Sequence, residues 1–278
     1  MTEEIFDVGL FTSSRFDTML EKSSTNAVMN LTHLNVTDAH VGRIIERLKV
    51  TSVEKIWLSF NALTDAGVNA LMGAMLQLRT FDTLRELCLA GNRLSDTSVY
   101  FIVQALSRGS RLRVLDLANN RGITDDAVAL LASFLRNSYL EKLLLNGCAI
   151  SDRGAIQLID CVRMTRLREI RLASPQLTEL TVVGAAAIVR STCLQNVVVG
   201  GTNAVNAPSQ RLLKENLAWK NADEVRVLTA LAAVHTLPRM NAKSTFRHFL
   251  SKNLSALAKM LCSTEQSTIP STAESMKH

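Results

Sequence analysis

The sequence predicts an α/β solenoid, a stack of similar coils in which a short strand, a turn and a helix follow one another. Three observations predict it. A unit recurs, read most clearly as VEKIWLSFNALTDAGVNALM from Val53, LRELCLAGNRLSDTSVYFIV from Leu84 and LRVLDLANNRGITDDAVALL from Leu112. Each unit opens on a segment that alternates apolar and polar residues, and each closes on apolar residues at helical spacing.

The period can be followed on one leucine-type position, at Leu31, Leu58, Leu89, Leu117, Leu145, Leu172 and Val199, with steps of 27, 31, 28, 28, 27 and 27 residues. Regularity of that kind over seven units marks a repeat array in which each unit buries its apolar face against its neighbours.

Within a unit the strand comes first. In Lys55-Ile56-Trp57-Leu58-Ser59 a period of two sends Ile56 and Leu58 inward and the others outward. A Ser or Thr followed by an acid comes next: Thr37-Asp38, Thr64-Asp65, Ser95-Asp96, Thr124-Asp125, Ser151-Asp152 and Thr178-Glu179. Such pairs accept hydrogen bonds from the free N–H groups of a helix's first turn and complement its dipole, so a helix is expected to start at each. The helices then carry Val68 and Leu71, Val99 and Ile102, Val128 and Leu131, and Ala155 and Leu158 on one aligned inward stripe.

These units resemble leucine-rich repeats of the ribonuclease-inhibitor type. The pattern L-x-x-L-x-L-x-x-N-x-L-x-D-x-G is matched by Val53, Ile56, Leu58, Asn61, Leu63, Asp65 and Gly67, and the likeness covers roughly residues 27–206. It implies a right-handed horseshoe with parallel strands on the concave face and helices on the convex face, and it implies binding to other proteins far more often than catalysis. The Asn position is kept at Asn61, Asn92 and Asn120 but filled by Leu34, Cys148, Pro175 and Thr202 elsewhere, so regularity is expected to fade toward both ends. The unit LEKLLLNGCAISDRGAIQLIDC also resembles the repeats of ubiquitin-ligase substrate receptors, whose F-box would not fit into the 26 residues that precede the solenoid. Ran GTPase-activating proteins share the repeat type but end in an acidic tail, whereas residues 238–278 carry six Lys or Arg against two Glu.

A solenoid needs caps where its core would meet water. Residues 1–26, with Ile5, Phe6, Val8, Leu10, Phe11, Phe16, Met19 and Leu20, are expected to cover the first coil. Residues 207–262 are expected to form a helical C-terminal cap: a stretch opened by Pro208 with Leu212, Leu213, Leu217 and Trp219, a helix over 223–234, and an amphipathic segment from Ser244 to Cys262. That last segment reads either as part of the cap or as a projecting helix for a partner's groove. The Ser- and Thr-rich residues 263–278 read as a disordered tail.

Composition narrows the function classes. The apolar stretch Val182 to Val189 is far shorter than the roughly 18–20 residues of a membrane span, so no membrane role is expected. The acidic N-terminus MTEEIFD does not read as a secretory or mitochondrial signal, which predicts a cytoplasmic protein with a nuclear site left open. Cysteines 88, 148, 161, 193 and 262 form no C-x-x-C pair and no even-numbered framework, and the five histidines do not cluster near them, so free thiols and no metal are expected. No phosphate loop, H-E-x-x-H or nucleophile elbow is present, which predicts no catalytic residue and no cofactor. The net charge of +6 falls to about +2 once the C-terminal residues 238–278 are set aside; that weak field disfavours nucleic acid as the main partner.

Two surfaces stand out once the repeat is subtracted. On the concave face Trp57, Cys88, Asp116, Leu144 and Arg171 fall in one column, and Phe60 is an aromatic among aligned residues that are otherwise small or polar: Gly91, Asn119, Gly147, Ser174 and Gly201. Trp57, Phe60 and Arg171 are the preferred partner contacts, since aromatic residues and arginine dominate binding hot spots; the other reading packs Trp57 against the N-terminal cap. At one edge Lys49, Arg108, Arg136, Arg163 and Arg190 recur in register with Thr80, where they either complement helix C-termini or meet an acidic protein segment or a nucleic-acid backbone. The sequence thus predicts a protein-interaction scaffold or adaptor in a larger assembly, possible settings including a cytoskeletal one. A substrate receptor of a ubiquitin ligase or a regulator of a small GTPase is the alternative, and an RNA- or DNA-associated subunit the third.

Overall fold

The computed structural model of the chain describes residues 8–22, 27–189, 192–200, 210–218 and 220–221. By contact the chain divides into Met1–Asp223 and Glu224–His278, and the second unit lies outside the described residues.

Seven strands, β1 (Val28–Asn30), β2 (Lys55–Trp57), β3 (Glu86–Cys88), β4 (Val114–Asp116), β5 (Lys142–Leu144), β6 (Glu169–Ala173) and β7 (Asn196–Gly200), lie side by side in chain order in one parallel sheet. Helices separate them: α1 (Val8–Lys22) precedes β1, and α2 (Val41–Val50), α3 (Asp65–Gln77), α4 (Asp96–Leu106), α5 (Asp125–Leu135), α6 (Asp152–Val162) and α7 (Glu179–Ile188) follow β1 to β6 in turn. The registers pair Val28 with Lys55, Lys55 with Glu86, Glu86 with Val114, Val114 with Lys142, Lys142 with Glu169 and Glu169 with Asn196. These are the steps of the sequence period, carried over into the sheet without a slip. The one long coil, the second, holds the longest of the inter-strand helices and an extra 3-10 turn, Thr80–Asp82.

The core lies between sheet and helices. Met29, Ile56, Leu87, Leu115, Leu143, Ile170 and Val197 point into it from the strands, and Val68, Leu71, Val99, Ile102, Val128, Leu131, Ala155 and Leu158 meet them from the helices. Each strand centre is buried between two partly exposed neighbours in β1 to β4, the pattern expected of a sheet with one solvated face.

Two side-chain ladders tie the coils together where the chain turns from strand to helix. Asn120 is fully buried; its Oδ1 accepts from the amides of Asn92 and Leu94, and its Nδ2 donates to the carbonyls of Leu89 and Leu117. Asn92 and Asn61 repeat the arrangement one and two coils earlier. At Cys148 the rung is reduced to a thiol facing the Leu117 carbonyl at 3.4 Å.

The second ladder corrects the expected role of the acids. The hydroxyls of Thr64, Ser95, Thr124 and Thr178 do cap their own helices, accepting the amide two residues on. The aspartates of Asp38, Asp65, Asp96, Asp125 and Asp152 instead reach the next coil, where each takes the amide and the hydroxyl of Thr64, Ser95, Thr124, Ser151 and Thr178 respectively. The glycine of the motif has its reason here: a β-carbon on Gly67 or Gly154 would collide with the carboxylate of Asp38 or Asp125.

At the N-terminal end Phe16 and Leu20 of α1 are buried, Asp17 pairs with Arg43, and Arg47 donates to the Glu21 carbonyl at 2.9 Å. At the other end residues 210–218 are helical, Leu213 is buried, and Gln210, Asn216 and Lys220 donate to the carbonyls of Val199, Ala186 and Leu194. Pro208, Trp219, the helix expected over 223–234, the segment from Ser244 to Cys262 and the tail 263–278 lie outside the described residues, as do residues 1–7.

Candidate protein-binding face

The solvated face of the sheet is built by the outward residues of the strands, and parallel pairing turns their alternation into rows. Register places Asn30, Trp57, Cys88, Asp116, Leu144, Arg171 and Val198 in one row across the sheet. From Trp57 to Arg171 the row crosses four inter-strand spacings, about 19 Å. A second row runs Lys55, Glu86, Val114, Lys142, Glu169 and Asn196. All five strand residues expected at the site therefore share one line, and Phe60 stands beyond its end of β2, in the turn.

Two carboxylates organise this face, and sequence reasoning did not single them out. Glu86 accepts from Lys55 Nζ at 2.7 Å and from the indole N–H of Trp57 at 3.4 Å, which ties the tryptophan to its neighbouring strand. Glu169, itself buried, accepts from Arg171 at 2.8 Å and from Asn196 at 3.1 Å and pairs with Lys142 at 3.2 Å. Burial alone would raise its carboxyl; the Lys142 and Arg171 donors outweigh this and hold it below the ordinary range. The signal was present in the sequence as Lys-Glu pairs one period apart.

Asp116 sits between these networks and belongs to neither. Its Oδ1 accepts the Ala118 amide at 3.0 Å, but no ion pair reaches it among the described residues. Burial pushes its carboxyl above the usual value, with Ala118 and the more distant Arg171 offsetting only part of that. Burial, with Asp116 and Glu86 nearby, also pushes the Cys88 thiol up to about 12, which keeps it neutral and disfavours the thiolate.

Phe60 adopts a left-handed backbone conformation (φ 56°), as do His33, Gly91, Asn119 and Gly147 at the equivalent turns. Its ring stacks on His33 with centroids 4.5 Å apart and planes 2° from parallel. The other side of the ring lies over Gly91, where a β-carbon would stand 2.5 Å from it. Phe60 remains 46% exposed, so the stack presents an aromatic edge beside Trp57's strand.

At the opposite end of the strands, Arg136 and Arg163 are the C-cap residues of α5 and α6, Arg108 follows the C-cap of α4, and all three are exposed. Lys49 lies in the last turn of α2 and pairs with Glu46 at 2.6 Å. Thr80 is buried in the extra turn of the second coil, and Arg190 lies outside the described residues. Among the described residues, no group of His, Cys, Asp or Glu converges as metal ligands would, and no helix is long and apolar enough to cross a membrane.

A profile of the leucine-rich-repeat family matches residues 111–132 and 136–158, the units that contain β4, α5, β5 and α6. These are leucine-rich repeats of the ribonuclease-inhibitor type. The pig (Sus scrofa) ribonuclease inhibitor is 32% identical over 108 residues, which is 38% of this chain and 23% of that protein. Photoactivated adenylate cyclase subunit alpha of Euglena gracilis is 31% identical over 101 residues, 36% of this chain and 10% of that protein. The matched segments thus span less than a quarter of either relative. Leucine-rich repeats of this kind form protein-interaction surfaces.

Proposed function

We propose that this chain is a non-catalytic, intracellular and cytoplasmic scaffold or adaptor that holds another protein on the open face of its sheet, with Trp57, Phe60, Cys88, Asp116, Leu144 and Arg171 as contacts. Asp116 carries the reading. A carboxylate pushed up by burial and left without an ion pair is a cost to the fold, and it lies in one row with an indole, a leucine and an arginine. A partner cation or N–H group would offset that cost, whereas solvent exposure alone gives no reason to keep the group there. The pig relative is, by its name, an inhibitor of a ribonuclease, which supports a protein as the bound species.

The test is affinity purification of the full chain at moderate salt with mass spectrometry of what is retained, compared with Trp57→Ala and Asp116→Arg. The proposal expects both variants to lose the retained protein, with Trp57→Ala weakening capture by at least about 2 kcal/mol, while their melting temperatures stay close to that of the parent. Retention of the same proteins by both variants would sink it. The identities recovered separate a cytoskeletal assembly from a ubiquitin ligase or a small-GTPase pathway.

A further inference from the structure

The arginines that precede the strands form a band wider than the single helix-terminal column. Three loops lead into β4, β5 and β6, over residues 107–113, 136–141 and 163–168, and they contain seven arginines (108, 111, 113, 136, 163, 166 and 168), no lysine and one acid, Glu141. Their net charge of +6 equals that of the entire chain. The backbone shows how they stack: the Arg113 amide donates to the Arg85 carbonyl, Glu141 to Arg113 and Arg168 to Glu141, so equivalent positions lie one coil apart along a single edge.

Helix dipoles account for the column at Arg108, Arg136 and Arg163, where a cation stabilises by about 0.3–1 kcal/mol. They do not account for Arg111, Arg113, Arg166 and Arg168, which lie past the helix ends. Glu141 pairs with Arg113 at 3.4 Å, and among the described residues no carboxylate pairs with Arg108, Arg111, Arg136, Arg163, Arg166 or Arg168. Within this band the Arg166 guanidinium rests over the Tyr139 ring, 4.8 Å from its centroid, which holds its planar fork in place. Tyr139 is 53% exposed, and Met164, two residues before Arg166 in the same strip, is 72% exposed.

We infer that this edge binds an acidic protein segment that carries an apolar side chain, its carboxylates taken by the arginine forks and its apolar group by Tyr139 and Met164. Charge complementarity sets the sign, and the exclusive use of arginine favours planar, two-pronged oxyanions such as carboxylates. Three features favour protein over nucleic acid. One face of Tyr139 is already covered by Arg166, where a stacking base would need it. Met164 offers an apolar contact that a phosphate backbone does not use. The strip also thins toward the first coil, where Arg85 donates to the Asp82 and Leu84 carbonyls and Lys49 and Arg79 are paired with Glu46 and Asp82. This site is independent of the open sheet face, which lies at the other residues named above.

The experiment titrates the full chain into a fluorescent poly-glutamate peptide with interspersed phenylalanines, its glutamine counterpart, and a fluorescent oligouridylate, at low and raised salt. The acidic peptide is expected to bind and the glutamine peptide not to, with affinity falling as salt rises. Arg111→Glu, Arg163→Glu and Arg166→Glu combined should weaken it by at least about tenfold, and Tyr139→Ala by a few-fold, with unchanged circular dichroism. Trp57→Ala should leave it unaltered. The inference is overturned if the triple charge reversal does not matter, if Trp57→Ala abolishes binding, or if the oligouridylate binds more tightly than the peptide and is lost in the same triple variant.

Discussion

The carboxylate of Asp65 takes both the amide and the hydroxyl of Ser95, at 2.9 and 2.5 Å, and so joins the start of one helix to the cap of the next. Ser98, fully buried, donates a third hydrogen bond to it. Asp65 is thus a fastener between coils. Asp65→Asn should cost about 1–3 kcal/mol in chemical denaturation, more than Asp38→Asn, whose carboxylate has no equivalent third hydroxyl because Gly67 stands in that place. Equal effects would show that the Ser98 bond contributes nothing.

The pH dependence follows from the same ladder. Burial would raise the carboxyls of Asp65 and Asp152, but donation from Ser95 and Ser98, and from Thr178 and Thr181, outweighs it and holds both below their ordinary value of 3.8. The folded state therefore releases these protons more readily than the unfolded state. Their contribution is fully present above pH ~4 and is lost as pH falls through the lowered folded values. Asp116 has the opposite sign: its raised carboxyl makes the charged form a cost that sets in as pH rises through its pKa. Thermal melts from about pH 2.5 to pH 7 should show a flatter acid limb in Asp65→Asn and Asp152→Asn, and a higher melting temperature at neutral pH in Asp116→Asn.

Asn120 and Cys148 hold equivalent rungs with unequal chemistry. Removing Asn120 strands the Asn92 and Leu94 amides in the core and takes the stronger donor from the Leu117 carbonyl and the second donor from the Leu89 carbonyl, so Asn120→Ala should cost about 3 kcal/mol or more. Cys148→Ala loses a weak thiol contact and a small apolar volume, and should cost about 1–2 kcal/mol. Urea midpoints of the two variants test the ranking directly.

Phe60 and Gly91 are coupled. Gly91→Ala must adopt a left-handed φ and also displace the Phe60 ring. In the parent it should cost more than the about 1–2 kcal/mol of the backbone alone; in a Phe60→Gly background it should fall back to that value. A double-mutant cycle by thermal denaturation that shows simple additivity would mean that the ring moves aside freely.

The sequence by itself determined the order of strands and helices, the register of the sheet and the inward set of side chains. Ile56, Leu87 and Leu115 are legible as core because local periodicity of two or 3.6 dictates which side of an element is apolar, and a constant period leaves only one way to stack the coils. It also aligned Trp57 with Arg171 and Arg108 with Arg163. What it did not decide was the rotamer and partner of any side chain within those columns. Asp65 reads locally as a cap for its own helix, yet it bonds Ser95; Tyr139 reads as a loop residue, yet it holds Arg166. Asp116 reads in the sequence only as one outward strand residue and becomes a half-buried acid without an ion pair only between its neighbouring strands. These outcomes depend on groups some 26–30 residues away along the chain, whose approach is set by the stacking of successive coils, and only tertiary structure brings them into contact.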